Sequence, residues 1–261
     1  MRRMVLGLSY DGTVYHGWQI QEDSKTVQGL IDPAISAVAN HPVVSICAGR
    51  TDAGVHATAQ VVHFDTDADR TDYSWVFGIN SHLPHDISVL WVRSVESSFH
   101  ARYSALARRY RYVLYNHSIR PAILRSAVGW EYRLLNEKCM QEGAQYLLGE
   151  HDFNAFRGAG CQASSPVRTI KHIHIFRIRH MVIIEIEANA FLFHMVRNIV
   201  GVLIAIGTGE RLPEWARDVL ASRDRRKGGV TVSPCGLYLV GVDYPPEFQL
   251  PRTPLGPFFL P

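Results

Sequence analysis

The chain has 261 residues, of which 47% are hydrophobic and 20% are charged, and its net charge is +3. This composition belongs to a folded globular protein and excludes an intrinsically disordered one. The four cysteines have no CxxC spacing and the histidines form no HExxH motif, so neither a disulfide framework nor a metal site is expected. No signal peptide or membrane-spanning run is recognisable, so we expect a cytoplasmic protein that does not enter a membrane.

The first half of the chain predicts a strand, a helix and three further strands. Residues 4–9 form a short apolar run before a turn signal, and residues 26–39 have apolar side chains at helical spacing, with Thr26 as N-cap. Pro33 lies inside this helix and argues against its continuity. The remaining strands are predicted at residues 43–48, 59–64 and 89–95.

The second half predicts a strand, a helix, a two-stranded hairpin, two further helices and a closing strand. In chain order these elements cover residues 109–114, 137–148, 170–176 with 181–187, 191–207, 213–222 and 236–242. Because hairpin-linked strands alternate irregularly with helices, we expect an α+β fold with a mainly antiparallel sheet. The expected sub-domains are residues 1–104 and 105–244, followed by a proline-rich surface tail at 245–261.

Two stretches of the chain contain several basic residues but no acidic one, namely 97–130, with arginines only, and 153–184, with arginines and Lys171. The first also contains several tyrosines. Such a combination suits a polyanion with bases that can stack, whereas a single basic run is more often a solvated surface. The candidate contacts to an RNA backbone in these stretches are Arg102, Arg109, Arg111 and Arg168.

The most informative segment is the loop at residues 49–57, which places Asp52 between two glycines, beside Arg50 and Thr51, and between two predicted strands. Glycines allow the backbone to turn sharply and allow a bulky ligand to approach. A carboxylate in such a loop can serve as a nucleophile. It can equally cap its own backbone in a tight turn, and the loop alone favours that second interpretation.

Arg197 lies on a predicted helix that is apolar almost all round. A buried guanidinium is costly without a partner, so Arg197 either extends to solvent or meets a carboxylate. Asp52 is one candidate partner among others.

Tyr110 lies on the predicted strand at 109–114, where alternation places it with Tyr112 on one face and places Arg109 and Arg111 on the other. Tyrosine on a strand usually belongs to the core. Next to three arginines, it is also a candidate platform on which a base flipped out of RNA would stack.

The loop at 49–57 resembles the active-site motif of the tRNA pseudouridine synthase A family. Further segments resemble the same family in order along the chain: residues 10–13, 17–19, 26–29, 80 with 83–84, 99–102, 109–110 with 112, 152–153 with 155–156, 189–191, 194–201, and 236–237 with 242–244. The resemblance therefore runs from about residue 4 to residue 244. Small departures occur at Tyr103, Pro33 and Cys235, and none of them touches Asp52.

This resemblance implies an enzyme that converts uridine to pseudouridine at positions 38, 39 and 40 of the tRNA anticodon stem-loop. It implies a homodimer without a cofactor, built from two related halves with the active-site cleft between them. Asp52 would be the catalytic residue, Tyr110 would stack on the target base, and Arg197 would pair with Asp52. Leu237 would line the pocket. Arg50 and His56 would guide the RNA or the flipped nucleotide.

Alternatives remain at the level of mechanism and of function. Asp52 could attack C1′, remove the C2′ proton to form a glycal, or add to C6 of uracil. A non-catalytic RNA-binding module would explain the basic stretches but gives no reason for Asp52. A glycosidase needs a second, suitably placed acid, and phosphoryl transfer lacks the GxxxxGK[ST] motif.

Overall fold

The computed structural model describes residues 1–252 and 254–260. It contains ten strands: β1 (Arg2–Tyr10), β2 (Ile46–Cys47), β3 (His56–Thr66), β4 (Ile87–Val95), β5 (Ala107–Asn116), β6 (Gly129–Glu131), β7 (Gly149–Asp152), β8 (Val167–Ile178), β9 (Met181–Ala188) and β10 (Leu237–Asp243). The five α-helices of the described residues are α1 (Val27–Ala39), α2 (Asp72–Ser81), α3 (Glu137–Gln145), α4 (Met195–Gly207) and α5 (Trp215–Ser222). The predicted α+β class with mainly antiparallel strand pairing is confirmed. No helix of the described residues is long and apolar enough to cross a membrane.

The chain divides into two compact units, residues 1–108 with 238–261, and residues 109–237. This division differs from the boundaries expected from the sequence, which kept residues 105–244 together. The reason is β10, which pairs in parallel with β3 and so returns the end of the chain to the first unit. The residues after β10 also contribute to that unit, because Phe248 and Leu250 pack against its buried core around Phe99.

In the first unit, β1 lies between β3 and β4 and pairs antiparallel with both. The apolar run predicted there is buried, which fixes the strand as a central one. Helix α1 begins where the sequence predicts, since the Thr26 side chain accepts the N–H of Gly29 at 3.3 Å. Pro33 does not interrupt this helix, contrary to the concern raised by the sequence.

The strand predicted at residues 43–48 shrinks to the two residues of β2. The backbone donors of this segment are used elsewhere. The N–H of Val43 donates to the Ser36 hydroxyl at 2.9 Å, and the N–H of Ser45 donates to the Asp32 carboxylate at 3.1 Å. Both acceptors belong to α1, so residues 43–45 are bound to a helix, and only Ile46 and Cys47 form a strand beside β3.

In the second unit, the predicted hairpin is present as β8 and β9, with β9 also beside β5 and with β7 on the outer side of β8. Helices α3, α4 and α5 pack against one another, and α3 also packs on β8. Helix α4 starts at Met195, four residues later than predicted. The preceding residue His194 has a φ of 60°, and the N–H of Met195 donates to Leu192, so residues 192–195 form a turn before the helix begins.

Candidate active site

Asp52 lies half-buried in a tight turn between β2 and β3. Its carbonyl accepts the N–H of Val55 at 3.1 Å, and Gly54 in the same turn has a φ of 75°. That left-handed conformation is the reason for glycine at this position. The turn anticipated from the sequence is therefore present, and it presents the carboxylate-bearing residue on a backbone of fixed shape.

The segment at residues 10–18 holds this turn in place. The N–H of Trp18 donates to the Thr51 carbonyl at 3.0 Å, and the N–H of Gly54 donates to the Tyr15 carbonyl at 3.2 Å. The hydroxyl groups of Tyr10 and Thr51 are 2.8 Å apart and buried. These bonds explain why the motif near the N-terminus and the loop at 49–57 occur in one sequence: the first is the support of the second.

Gly12 makes the closest approach in this support. A Cβ atom at Gly12 would lie 2.0 Å from the carbonyl oxygen of Val55, so no side chain fits. Gly17 has a φ of 88°, and a Cβ there would be 2.7 Å from the Thr51 carbonyl oxygen. The path of the loop therefore requires glycine at positions 12 and 17, which lie outside it. The sequence pattern did not predict this requirement.

His56 is buried directly after the turn, where its ring stacks on Tyr238 at 4.7 Å. Its Nδ1 is 3.0 Å from the Gly12 N–H and 3.1 Å from the Asp11 carboxylate. An Nδ1 without a hydrogen accepts from Gly12, whereas an Nδ1 that carries a hydrogen donates to Asp11, so the two neighbours compete for one nitrogen. Contact with His56 and hydrogen bonds from Thr13 hold the pKa of the Asp11 carboxyl well below its usual range.

Arg50 is exposed at the other end of the turn. The residues on either side of Asp52 therefore differ: the Arg50 side chain is in solvent, while Thr51 and His56 are buried. Of the two residues expected to guide RNA, only Arg50 has the exposure of a direct contact in this structure. His56 has the surroundings of a residue that supports the loop.

In the second unit, Tyr110 and Tyr112 share the buried face of β5, as alternation predicts. The rings of Tyr110 and Phe191 form a T-shaped contact, with centroids 5.0 Å apart and an interplanar angle of 84°. The Tyr112 hydroxyl donates to the Ser233 carbonyl at 2.8 Å. Leu237, at the start of β10, is buried.

Arg197 is half-buried in the first turn of α4. Its Nε donates to the Val232 carbonyl at 2.8 Å, and the N–H of Val232 lies 3.5 Å from the Arg197 carbonyl. The segment 228–233 thus runs along α4 and orients the guanidinium. A Cβ at Gly201, one turn further along the helix, would be 1.9 Å from the Val230 carbonyl oxygen, which shows how close this segment comes.

The fully buried polar side chain of α4 is its neighbour Asn198, which the sequence analysis missed. Asn198 donates to the Phe156 carbonyl at 2.8 Å and accepts from Arg225 at 2.9 Å and from Thr231 at 2.6 Å. A buried amide whose hydrogen bonds are satisfied stabilises a unique arrangement of the segments around it. A polar residue in an otherwise apolar helix was the only signal in the sequence.

The four arginines expected to contact RNA have different surroundings. Arg109 forms an ion pair with Glu187, and the Nε of Arg111 is 2.8 Å from Glu185, where both carboxylates are nearly buried on β9. Arg102 is exposed, with its guanidinium 5.6 Å from the centre of the Tyr103 ring. Arg168 is half-buried and donates to backbone carbonyls of neighbouring residues.

Within residues 1–252 and 254–260, no three histidine, cysteine, aspartate or glutamate side chains are grouped so that they could hold a metal ion. His172 and His174 are exposed on β8, as their place in an alternating strand predicts.

Comparison with known proteins gives a consistent result. A family model described as tRNA pseudouridine synthase matches residues 8–104 and 144–245. A relative from Coxiella burnetii, named tRNA pseudouridine synthase A, is 70% identical over 261 residues and is covered completely, as is this chain. A relative of the same name from Photobacterium profundum is 54% identical over 259 residues, which are 99% of each chain.

Among solved structures, a chain from a Cbf5-Nop10-Gar1 complex matches 90% of this chain and 57% of its own length, with 10% identity and a TM-score of 0.38. We draw no conclusion about function from a similarity of this size.

Proposed function

Because the chain belongs to the tRNA pseudouridine synthase A family, we propose that it isomerises uridine to pseudouridine in the anticodon stem-loop of tRNA, at positions 38, 39 and 40. The observation that carries the proposal is the Asp52 turn, whose backbone is fixed by hydrogen bonds with the Trp18 N–H and the Tyr15 carbonyl. A carboxylate on a rigid support is what positioned covalent or acid–base chemistry requires.

The reaction is balanced without any other reactant. The C1′–N1 glycosidic bond breaks, uracil turns in place, and C1′ forms a bond to C5. The proton on C5 leaves and N1 gains a proton, so no oxidant, group donor or cofactor enters the equation. We propose that Asp52 acts on the nucleotide in this sequence. Attack at C1′, removal of the C2′ proton and addition to C6 are the three available routes.

The remaining roles follow from the surroundings of each side chain. We assign Tyr110 to stacking on the target base, since its ring is fixed by Phe191 at a right angle. Leu237 would contribute an apolar wall. Arg197 is held by Val232 at Nε, and we propose that its guanidinium pairs with the Asp52 carboxylate. Arg50 would contact the RNA, and His56 would fix the turn.

For the RNA backbone, we rank the four predicted contacts by their exposure and by their partners. Arg102 is exposed and lies beside an exposed tyrosine, so it is the strongest of the four. Arg168 is half-buried. Arg109 and Arg111 would contact phosphate only through the donors that Glu187 and Glu185 leave available, because these carboxylates already neutralise both charges.

The test is tritium release from tRNA that carries tritium at uracil C5, with wild type, Asp52→Ala and Asp52→Asn. We expect release by wild type and a loss of at least about 1,000-fold in both variants, with tRNA binding retained. Anticodon-arm transcripts with a single uridine at position 38, 39 or 40 define the sites. Full activity in either variant would remove Asp52 from the mechanism. Binding without release by wild type would leave an RNA-binding module.

The homodimer and the cytoplasmic location are also proposals, which rest on the family resemblance. Light scattering during size-exclusion chromatography measures the mass in solution, and a value of one chain would exclude the dimer.

A further inference from the structure

The second unit contains a pocket of about 510 Å³ between the loop at residues 154–161 and the turn at residues 223–225. Three arginines line it, namely Arg157, Arg223 and Arg225. One carboxylate, that of Asp224, is also in the lining. Nothing in the proposed chemistry at Asp52 uses this pocket, so its concentration of positive charge requires a separate explanation.

Two of the three arginines are bound only to neutral groups. The Nη2 of Arg157 donates to the carbonyls of Cys161 at 2.6 Å and Ala163 at 2.8 Å. The Nη2 of Arg225 donates to Asn198 at 2.9 Å and to Thr231 at 2.9 Å. Among the described residues, no carboxylate lies within ion-pair distance of either guanidinium. Each is therefore fixed in place while its charge is left uncompensated.

The acidic residues nearby are already engaged. Asp224 pairs with Arg226 at 2.8 Å, and Arg223 is 3.4 Å from Asp152. The contrast with β5 is informative, since Arg109 and Arg111 there each have a glutamate partner. The pocket consequently retains an excess of positive charge, held on side chains that cannot move far without losing hydrogen bonds.

The loop that forms one wall of the pocket leaves room for a ligand. A Cβ atom at Gly160 would meet nothing within 4 Å, and both Ala159 and Gly160 are exposed. The loop is nonetheless fixed at its base, because the N–H of Gly158 donates to the Phe193 carbonyl at 2.8 Å. Open space above a fixed glycine loop, faced by planar guanidinium groups, suits an anion with several acceptor oxygens.

We propose that this pocket binds a backbone phosphate of the tRNA substrate, with Arg157 and Arg225 as its principal ligands. The inference rests on the proposed function only in naming tRNA as the source of the phosphate. Arg225 bonds to Asn198 of α4, the residue after Arg197, so an occupied pocket is linked through one buried amide to the helix that carries a proposed active-site residue. The pocket is thus a point at which RNA binding would fix the start of α4.

Salt dependence of tRNA binding provides the first test. Each phosphate contact that is lost lowers the slope of log Kd against log salt concentration by about 0.7 to 0.9. We expect this loss for both Arg157→Gln and Arg225→Gln, together with a rise in Kd of roughly tenfold at low salt. The matched control is Arg226→Gln, because Arg226 lies in the same turn, is 88% exposed and is paired with Asp224. Its slope should equal that of wild type.

Cys161 supplies a second readout, because its thiol lines the same pocket. Burial raises the pKa of this thiol, but the N–H groups of Ala163 and Phe193 and the Arg157 guanidinium outweigh burial and lower it. A thiol with a lowered pKa reacts readily with iodoacetamide. Alkylation of Cys161, followed by peptide mass spectrometry, should slow about tenfold when tRNA is present at ten times its Kd.

Cys139, half-exposed on α3, is the internal control and should react at the same rate with and without tRNA. Inorganic phosphate is the second arm. Protection by tRNA at concentrations where inorganic phosphate gives none identifies the RNA backbone as the source. Protection by inorganic phosphate but not by tRNA would overturn the proposal.

If Arg225→Gln unfolds because its bond to Asn198 is lost, Arg157→Gln carries the salt test alone. An unchanged slope in a folded Arg157→Gln protein, without tRNA protection of Cys161, would overturn the proposal while wild-type tritium release still supported the function. A reduced slope without tritium release would instead preserve the phosphate pocket and reject the proposed reaction.

Discussion

The Asp52 turn of the first unit and the Arg197 turn of the second are held by the same device, a glycine over which a carbonyl oxygen passes. At Gly12 the oxygen belongs to Val55, and at Gly201 it belongs to Val230. The two supports differ in one respect. The Asp52 turn is fixed by hydrogen bonds of backbone groups and of the Tyr10 side chain, whereas the segment over α4 is fixed in part by the Arg197 side chain itself.

This difference separates support from the proposed chemistry in the first unit and combines them in the second. A variant of Asp52 changes the proposed reactive group and leaves the hydrogen bonds with Trp18 and Tyr15 in place. A variant of Arg197 removes the proposed partner of Asp52 and also a hydrogen bond to Val232. Loss of activity in an Arg197 variant therefore cannot by itself be assigned to chemistry, and stability must be measured beside it.

The largest effects are expected from Gly12→Ala and Gly201→Ala, which test whether both supports are required. Each added methyl group would lie about 2 Å from a carbonyl oxygen, so the backbone has to shift. We expect each change to lower the free energy of unfolding by about 2–3 kcal/mol and turnover by about 100-fold. Urea unfolding and tritium release measure the two quantities.

The control for these glycines is Gly49→Ala, because a Cβ there meets nothing within 4 Å. Its stability should stay within about 0.5 kcal/mol of wild type. If Gly12→Ala is destabilised and Gly201→Ala is not, the segment at 228–233 can move away from α4 and the comparison between the two supports does not hold.

Arg197→Lys and Asp52→Asn test the central difference. Lysine keeps the positive charge but has no Nε to donate to Val232, so we expect a stability loss of about 1.5–3 kcal/mol, the range for a charged donor. Asp52→Asn should lose less than about 1 kcal/mol while losing its activity. Equal losses of stability in the two variants would show that Asp52 is also part of its support.

Acid should weaken the support of the Asp52 turn and leave the support of the Arg197 turn unchanged. The pKa of the Asp11 carboxyl is lower in the folded chain than its ordinary value of about 3.9, so its stabilisation is complete above about pH 4 and is lost as the pH falls toward the folded pKa. Because Asp11 is half-exposed, the contribution is no more than about 1 kcal/mol. Its neighbours are His56, Thr13 and, through the Asp11 backbone N–H, Asp86.

The measurement is the difference in thermal stability between wild type and Asp11→Asn. Wild type should be the more stable protein near neutral pH, and the difference should shrink steadily as the pH falls below about 4. A difference that grows on acidification would mean that the carboxylate destabilises the folded state.

Much of the fold was predictable because its elements bury one regular face. Helix α1 was predicted from the helical spacing of its apolar residues and from the Thr26 N-cap. The β8–β9 hairpin was predicted from the alternation of apolar and polar residues along its two strands. Helix α2 was missed because only Trp75 and Ile79 are buried, too few to mark a helical face. The start of α4 was misplaced because the turn at 192–195 depends on a left-handed His194, which the apolar run does not reveal.

For the candidate site, the sequence supplied candidate residues but not what surrounds them. Alternation placed Arg109 and Arg111 together on one face of β5, yet their glutamate partners come from β9 and depend on strand order. The uncompensated arginines of the pocket come from segments about seventy residues apart in the chain, so no local pattern could group them. The distribution of charge along the sequence therefore does not determine how charges are grouped in the folded protein.

The return of β10 to the first unit has a consequence for the order of assembly. The second unit, residues 109–237, is one continuous stretch, while the first needs residues from both ends of the chain. Until Tyr238 and the residues after it leave the ribosome, β3 lacks its parallel partner and His56 lacks the ring on which it stacks. The unit that is begun first is therefore the one completed last, in reverse of the usual order in which N-terminal domains fold during synthesis.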